Sequence, residues 1–350
     1  MNPQLYNSEI IEHRIESQQI GDAVIVSRPK VSIIIPAYNV ADFICETLNS
    51  VFSQTFEDYE ILVINDGSPD SLNLEKTLTP FFSRIIYVKQ PNGGAASARN
   101  TAIFLGRGEL LAFLDGDDIW EPNYLEMQIS KLEKNGFDLI YADAMMFGLK
   151  PWAGKTFMQL SPSNGEVSLE KLLLAECNII TSGTLTKREI VLISGGFDED
   201  REVSGFEDFD LWTRIAKNCF KIGYQKDVLL KYRVTVGSLS GGLVKRAERG
   251  VKNMLFVRQK IDLSESEEKA WHKQLTLANA QLDLEKGKAL LAEGKFDEAR
   301  ELITKSNKFY KKVKLTAVIA CLRFSPRLVF FLFNKFRIDE NSIVSSKKTS

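Results

Sequence analysis

The chain has 350 residues, 44% of them hydrophobic and 26% charged, with a formal net charge of -1 and a pI near 6.3. That is enough apolar material for one large core and a second unit, and it excludes disorder over most of the length. The near-neutral balance supplies no global positive field, so nucleic acid is excluded as the expected main partner and any anion site has to be local.

Residues 1–30 form a polar N-terminal extension carrying Glu9, Glu12, Glu16 and Asp22, with no apolar core behind a basic start. A signal peptide is therefore not expected. Cys45, Cys177, Cys219 and Cys321 are scattered without C-x-x-C spacing, which fits reduced thiols in the cytoplasm better than a disulfide framework or a zinc site. No window holds the roughly eighteen uninterrupted apolar residues of a membrane span, so the expectation is a soluble protein, or one bound to a membrane only at its surface.

From Val31 onward, short β-branched or aliphatic runs alternate with helical periodicity. Val31 to Ile35, Glu60 to Ile64, Ile85 to Val88, Leu110 to Leu114 and Asp138 to Ala142 are predicted strands. Val40, Phe43, Ile44, Leu48, Val51 and Phe52 recur at three- and four-residue steps, which places one apolar stripe on a helix. Further helices are predicted from about Ser71 to Phe82, Ala95 to Leu105 and Asn123 to Lys134, the last with Pro122 at its first position. Repeated βαβ units imply a mostly parallel sheet with right-handed crossovers, and such sheets bind ligands at the carboxyl ends of their strands.

Polar segments fall at those ends. Pro36-Ala37-Tyr38-Asn39 follows the first strand, Asn65-Asp66-Gly67-Ser68 the second, Gln90-Pro91-Asn92-Gly93-Gly94 the third and Asp115-Gly116-Asp117-Asp118 the fourth. Each alone is ordinary turn chemistry. Four at corresponding positions point to one shared ligand. The crowded carboxylates of the fourth repel one another, and a hard cation such as Mg²⁺ or Mn²⁺ relieves the repulsion while keeping coordination positions for substrate phosphates. A plain turn is the competing reading of that tetrapeptide.

Beyond Ala142 the alternation weakens, and Phe147 to Glu166 reads as strands or loops lying over the sheet. Ser168 is placed to cap a short helix through Leu174. Acids recur in Gly205-Phe206-Glu207-Asp208-Phe209-Asp210, just before a helix with Leu211, Ile215 and Ala216 on its inner face; such acids complement a helix dipole or serve chemistry. From about Lys245 the composition turns helical and charged, which divides the chain into an α/β domain at 31–244 and a helical region at 245–350. Ser264-Glu265-Ser266-Glu267 is a capping box opening a long helix to about Leu291. The stretch from Ala289 to Ala299 resembles one turn of a tetratricopeptide repeat, but a solenoid needs about three repeats, so a helical appendage is expected. Ala317 to Phe333 is apolar yet contains Arg323 and Arg327 and is flanked by Lys311, Lys312, Lys314, Lys335 and Arg337. Core packing and a basic amphipathic face resting on an anionic membrane both fit it.

Taken together, Val31 through Asn39, Val63 through Ser68, Ala98-Arg99-Asn100, Leu114 through Asp118 and Glu207-Asp208 resemble the family-2 glycosyltransferases, over about Val31 to Ser240. The resemblance implies an inverting, metal-dependent enzyme with the GT-A (nucleotide-diphospho-sugar transferase) fold, a doubly wound, mostly parallel α/β sheet to which the C-terminal α-helical region is added. It implies a nucleotide-sugar donor, UDP-linked, and a hydroxyl acceptor on a glycan or a lipid-linked glycan, as in cell-surface polysaccharide synthesis. By this resemblance Pro36, Ala37, Tyr38 and Asn39 line the base pocket, Asp66 accepts a hydrogen bond from a uracil imide or a ribose hydroxyl, and Arg99 approaches the base or the diphosphate. Asp115 and Asp117, with Gly116 between them, form a DxD signature holding Mg²⁺ or Mn²⁺, with Asp117 the direct ligand and Asp115 beside the nucleotide. In an extended segment those two side chains point the same way. Asp118 would brace the segment that follows.

Inversion needs a base, and the only histidines, His13 and His272, lie outside the motifs, so a carboxylate must serve. Asp208 matches the family's base position, with Glu207 as its neighbour and fallback. Tyr232-Arg233 and Ser238-Leu239-Ser240 resemble the segment that closes over the diphosphate, with Arg233 as a contact; a late strand and turn is the competing reading. Asn65 stands where the family often has Asp, which leaves the base preference open. Trp152, Phe157 and Trp212 are candidates to surround the acceptor. Two other readings remain: a nucleotide-sugar-binding scaffold of the same fold without turnover, and a metal-dependent nucleotidyltransferase, which would want a Gly-rich basic loop where this chain has Pro36-Ala37-Tyr38-Asn39.

Overall fold

The computed structural model describes residues 8–20, 28–148, 152–200, 205–235 and 242–332. The chain divides into two units, one of residues 1–238 with 260–263 and the other of residues 239–259 with 264–350.

The first unit opens with α1 (Ser8–Arg14) and β1 (Ser17–Ile20), followed by β2 (Val31–Ala37), α2 (Ile44–Phe52), β3 (Tyr59–Asp66) and α3 (Ser71–Leu78). Next come β4 (Ile86–Gln90), α4 (Ala95–Leu105), β5 (Leu110–Phe113), β6 (Ile119–Trp120), α5 (Tyr124–Asn135) and β7 (Leu139–Gly148). Short helices α6 (Phe157–Leu160) and α7 (Leu169–Leu173), β8 (Thr184–Lys187), α8 (Arg188–Ile193), α9 (Glu207–Lys217) and β9 (Ile222–Val234) complete it. Among the described residues nine strands form one sheet in the order β1-β4-β3-β2-β5-β8-β7-β9-β6. The long ladders, β4-β3-β2-β5 and β7-β9, are parallel, while β8 enters antiparallel between β5 and β7 and β1 and β6 close the edges antiparallel.

The sheet is covered on both faces because its central strands are apolar at most positions. In β2, Ile33 and Ile35 face one core while Ile34 faces the other, and β5 divides in the same way between Leu110 and Ala112 on one side and Leu111 and Phe113 on the other. This is the period-two alternation of a strand buried on both sides. The stripe Ile44, Leu48 and Val51 of α2 and residues Leu125, Ile129 and Leu132 of α5 fill the first core; α4 and the Leu211, Trp212 and Ile215 face of α9 fill the second. The chain steps from β2 to β3 and β4 on one side, then returns to β5 on the other. That reversal opens a crevice at the carboxyl ends of β2 and β5, where such sheets bind ligands.

Several boundaries differ from the sequence expectation. The predicted helix to Phe82 stops at Leu78 and continues as a 3₁₀ turn over Thr79–Arg84, with Pro80 near its start. Pro122 precedes the N-cap Asn123 instead of occupying the first helical position. Ser168 caps α7 as expected, its side chain accepting from the Lys171 N–H.

The second unit is helical among its described residues: α10 (Gly242–Lys260), α11 (Glu265–Ala292), α12 (Phe296–Tyr310) and α13 (Val313–Phe324), with a further helical stretch at 326–332. Ser264 and Glu267 form the capping box at the start of α11. Helices α11 and α12 pack as a hairpin, and Gly287 permits the approach: a Cβ there would lie 2.7 Å from Ile303 Cγ1. Leu291, Ala299, Ile303, Leu322 and Val329 make a small core. Leu322 and Val329, with Val318 and Ile319 packed partly against the same core, are thus the packed face of residues 317–332, while Phe324 and Phe331 are exposed.

Candidate functional site: a cleft at the strand ends

A cleft of about 460 Å³ lies at the carboxyl ends of the parallel strands. Its walls include Pro36, Ala37 and Tyr38 from the end of β2, Asp66 from β3, Arg99 from α4, and Asp115, Gly116 and Asp117 from the turn after β5. Eight of the residues picked out in the sequence thereby meet in one place. Tyr38 is 51% exposed, an aromatic face left open at the rim. Asn39 does not line the cleft; it turns the chain at φ 56° and its N–H donates to Ser68 Oγ at 2.6 Å.

Asp66 is almost wholly buried, and three donors already meet its carboxylate: Gln90 Nε2 at 2.7 Å and the Gly93 N–H at 2.9 Å on Oδ1, and the Gly94 N–H at 2.7 Å on Oδ2. A carboxylate has about four acceptor positions, so one on Oδ2 is left for a ligand donor. Gly94 caps α4 at φ 91°, a conformation that a side chain would strain. Asn65 points the other way from the strand. Its amide donates to Tyr87 Oη at 2.8 Å and Ser71 Oγ at 3.0 Å, and its Oδ1 accepts from the Ser68 N–H at 2.9 Å. The departure from Asp-Asp is therefore a brace for the turn and not a wall of the cleft.

Asp115 through Asp118 is not extended. The chain turns, with the Asp118 N–H donating to the Asp115 carbonyl at 3.1 Å, yet both Asp115 and Asp117 line the cleft. The turn and the site are the same object. Gly116 is needed because a Cβ there would lie 3.1 Å from the Pro36 carbonyl oxygen and from Val40 Cγ2, and its own carbonyl accepts from Thr47 Oγ1 at 3.0 Å. Burial first, then the neighbouring Asp115 charge, pushes the Asp117 carboxyl up to about 6. Asp118 is buried and raised well above the usual carboxylate range, first by burial and then by Asp117 and Asp115. Its Oδ1 accepts the Arg233 N–H at 2.8 Å, so it braces β9 and not the segment directly after it.

Arg99 is 5% exposed and ties the two acidic regions together, donating to Asp115 Oδ1 at 2.7 Å and to Glu207 Oε1 at 3.1 Å. It is not a solvated helix residue. Glu207 and Asp208 begin α9, and Glu207 also lines an adjoining cavity of about 240 Å³. Asp208 lines neither cavity, and its Oδ2 accepts from Thr181 Oγ1 at 2.8 Å. Burial and then the Glu207 charge push its carboxyl up to about 6, against the Thr181 hydrogen bond and the Arg99 charge. The Tyr232 phenol is raised by burial and then by the charges of Asp118, Asp115, Asp117 and Asp208.

Arg233 sits in strand β9, stacked between the rings of Phe43 at 4.6 Å and Phe147 at 4.4 Å. Its Nε donates to the Asp117 carbonyl at 2.8 Å and its Nη2 to Glu46 at 2.6 Å, so it grips the acidic turn from behind and does not line the cleft. Ser238-Leu239-Ser240 lies outside the described residues. Phe157 packs near Tyr232, with ring centroids 6.3 Å apart. Trp212 belongs to the core, edge-on to Phe113 and Phe197, because α9 is amphipathic and its apolar stripe faces the sheet.

Sequence reasoning missed Thr181 and Ser182. They lie on a 3₁₀ turn ahead of β8, where Ser182 Oγ accepts the Asp115 N–H at 3.1 Å. The only signal was a Thr-Ser-Gly triplet, which is ordinary loop chemistry.

The residues fit a divalent cation. No side-chain donor contacts the Asp117 carboxylate among the described residues, and Asp115 has one oxygen outside its ion pair with Arg99. Among the described residues no group of three or more His, Cys, Asp or Glu could hold a metal. Two carboxylates completed by substrate phosphates and water are the coordination that Mg²⁺ accepts.

Comparison with known proteins places these motifs. Residues 32–191 match the family model of glycosyl transferase family 2. The chain is 34% identical over 224 residues to the UDP-Glc:alpha-D-GlcNAc-diphosphoundecaprenol beta-1,3-glucosyltransferase WfgD of Escherichia coli, covering 63% of this chain and 83% of that one. It is 32% identical over 211 residues to an uncharacterized glycosyltransferase of Rickettsia felis, 59% of this chain but only 34% of that protein, and the match spans 64% of the Rickettsia typhi relative. In fold it is similar to residues 1–349 of Staphylococcus aureus TarS in complex with UDP-GlcNAc, with TM-score 0.58, 18% identity and 89% and 92% of the two chains covered. It is also similar to the mannosyltransferase PcManGT of Pyrobaculum calidifontis in complex with GDP-Man and Mn²⁺, with TM-score 0.57, 18% identity and 99% and 94% covered. With a match to WfgD running through most of that enzyme's length and the family's motifs gathered at the strand ends, the chain belongs to glycosyl transferase family 2.

Proposed function

We propose that the protein is an inverting glycosyltransferase that moves a sugar from a UDP-linked donor to a hydroxyl of a glycan or lipid-linked acceptor. The observation that carries this reading is the single cleft uniting Tyr38, Asp66, Asp115 and Asp117, joined through Arg99 to the Glu207-Asp208 pair. The WfgD relative, named for UDP-Glc and a diphosphoundecaprenol-linked acceptor, supports the donor and acceptor classes.

Tyr38 offers its ring to the base, and Asp66 offers its last acceptor position to an imide or ribose donor. Asp115 and Asp117 would hold Mg²⁺ or Mn²⁺. When bound there, the cation neutralises charge gathering on the nucleoside diphosphate. Arg99 keeps its guanidinium between Asp115 and Glu207, fixing the donor side relative to the base. Asp208 takes the proton of the acceptor hydroxyl as its oxygen attacks the anomeric carbon, and the bond to the diphosphate breaks with its electron pair leaving on the diphosphate oxygen. Thr181 holds the Asp208 carboxylate by one oxygen. A carboxyl near 6 is mostly ionised at neutral pH yet more basic than an ordinary aspartate, which suits a general base.

The test is a thermal-shift panel of nucleotide sugars with and without Mn²⁺, since a ligand that binds the folded state raises its melting temperature. One or more UDP-sugars should give a metal-dependent shift that Asp117→Asn abolishes. A flat panel would sink the reading.

A further inference from the structure

We propose that residues 311–332 of the helical unit form a docking surface for an anionic lipid bilayer. The inference goes beyond the reading of the donor cleft and does not rest on it, because it is read out by lipid binding without catalysis.

Two features coincide on this stretch. It carries five cations, Lys311, Lys312, Lys314, Arg323 and Arg327, and no acid. It also leaves large apolar side chains in solvent: Val313 is 84% exposed, Phe324 82%, Phe331 62% and Leu328 52%. Leu322 and Val329 are buried in the small helical core, Leu315, Val318 and Ile319 pack partly against it, and Phe330 meets Phe296 edge-on. Helix α13 therefore packs one stripe, Leu315, Val318, Ile319 and Leu322, and leaves an outer side that mixes apolar and cationic groups, Val313, Lys314, Arg323 and Phe324. That combination is how a helix lies in the headgroup region of a membrane, with apolar side chains inserted and Lys and Arg reaching the phosphates.

The groove beside α13 has the same character. About 470 Å³ in volume, it is lined by Arg300, Thr304, Thr316, Ile319, Arg323 and Phe324, two guanidinium groups over an apolar floor. A lipid phosphate with its proximal chain has that polarity. Arg300 is shared with a second groove lined by Asp297, Glu298, Glu301, Lys305 and Lys308, where its Nη2 pairs with Asp297 Oδ1 at 3.1 Å; no acid among the described residues lines the groove beside α13.

Charge decides between a bilayer and the other candidate cover, a second copy of this chain. A two-fold interface would set this cationic face against its own cations, a like-charge juxtaposition that disfavours pairing. An anionic surface reverses the sign. No described helix is long and apolar enough to cross a membrane, so the mode is docking on the surface and not insertion across it.

The experiment is co-sedimentation of the full chain with vesicles of phosphatidylcholine containing increasing phosphatidylglycerol. Bound fraction should rise with the anionic content and fall with salt, and pure phosphatidylcholine should bind little. Each cation near such a surface contributes a factor of roughly five in partition, so the triple variant Lys311→Gln, Lys312→Gln, Lys314→Gln should bind about 100-fold more weakly. An independent variant, Phe324→Ser with Phe331→Ser, should bind at least about tenfold more weakly at low salt. All five side chains are exposed, so circular dichroism and melting temperature should match the parent, and either variant set suffices if the other misfolds. Equal binding to neutral and anionic vesicles overturns the proposal. So does a folded variant of either set that binds like the parent, or a lipid-free dimer that the phenylalanine variant dissociates.

Discussion

Replacing Thr181 by valine removes one hydroxyl, keeps the branched shape and should shift the protonation of Asp208. Thr181 Oγ1 donates to Asp208 Oδ2 at 2.8 Å, a hydrogen bond to the charged form of the carboxyl. It is one of the forces opposing burial and the Glu207 charge, which together hold that carboxyl near 6. Hydrogen bonds to charged groups contribute about 1.5–3 kcal/mol, and one pKa unit corresponds to about 1.4 kcal/mol. Losing the bond should therefore raise Asp208 by about one to two units. A base must be ionised to act, so activity rises with pH through its pKa. At pH 7 the parent has about 90% of Asp208 ionised and Thr181→Val between about 50% and 10%, a rate lower by about two- to tenfold. The deficit should vanish near pH 9. The assay is kcat/KM for nucleotide-sugar consumption from pH 5 to 9, with the acid limb fitted for both proteins. A variant slower by the same factor at every pH would show that Thr181 shapes the site without tuning Asp208, and an unmoved limb with full activity would remove Asp208 as the base.

Asp208→Asn should bind donor with unchanged affinity in calorimetry while turnover drops about 100- to 10,000-fold, and wild-type turnover would place the base elsewhere. Asp117 and Asp208 hold protons in the folded state between the ordinary 3.8 and about 6. The folded state binds more protons than the unfolded chain in that window, so the stability these groups contribute falls as pH rises through it and levels off above. Metal-free Asp117→Asn should accordingly lose less melting temperature than the parent between about pH 4 and pH 6, and added Mn²⁺ should raise the parent's melting temperature above pH 6 but not that of the variant. Parallel pH curves for the two proteins would contradict the placement of Asp117.

Much of the sheet was legible in the sequence because its parallel strands are buried on both faces. Val31 through Ile35 and Leu110 through Leu114 have no polar interruption beyond Ser32, and loop chemistry marks their ends. Strands β8 and β9 were harder. β8 is only four residues, Thr184–Lys187, and its threonines pair within the sheet where a pattern reading sees a polar loop. β9 alternates buried and exposed positions irregularly over thirteen residues, with register shifts opposite Ala142 to Ala144 that break its period.

Most of the cleft residues were readable because they end a strand or directly follow one, Arg99 on α4 being the exception. Their hydrogen-bond roles were not. Asp66 spends three of its acceptor positions on Gln90, Gly93 and Gly94, contacts made by residues distant in sequence. Arg233, a candidate diphosphate contact, bonds the Asp117 backbone and Glu46 and does not line the cleft, contacts that follow from where β9 passes the acidic turn. Trp212 was a candidate to surround the acceptor, but the helical stripe Leu211, Trp212 and Ile215 assigns it to the core.

Metal-dependent sugar transfer with inversion is tested most directly by proton NMR of donor turnover. With a UDP-sugar of α configuration and Mn²⁺, the transferred or hydrolysed sugar should first appear as the β anomer, and chelation with EDTA should stop its formation. Release of the α anomer, or undiminished turnover in excess EDTA, would contradict it.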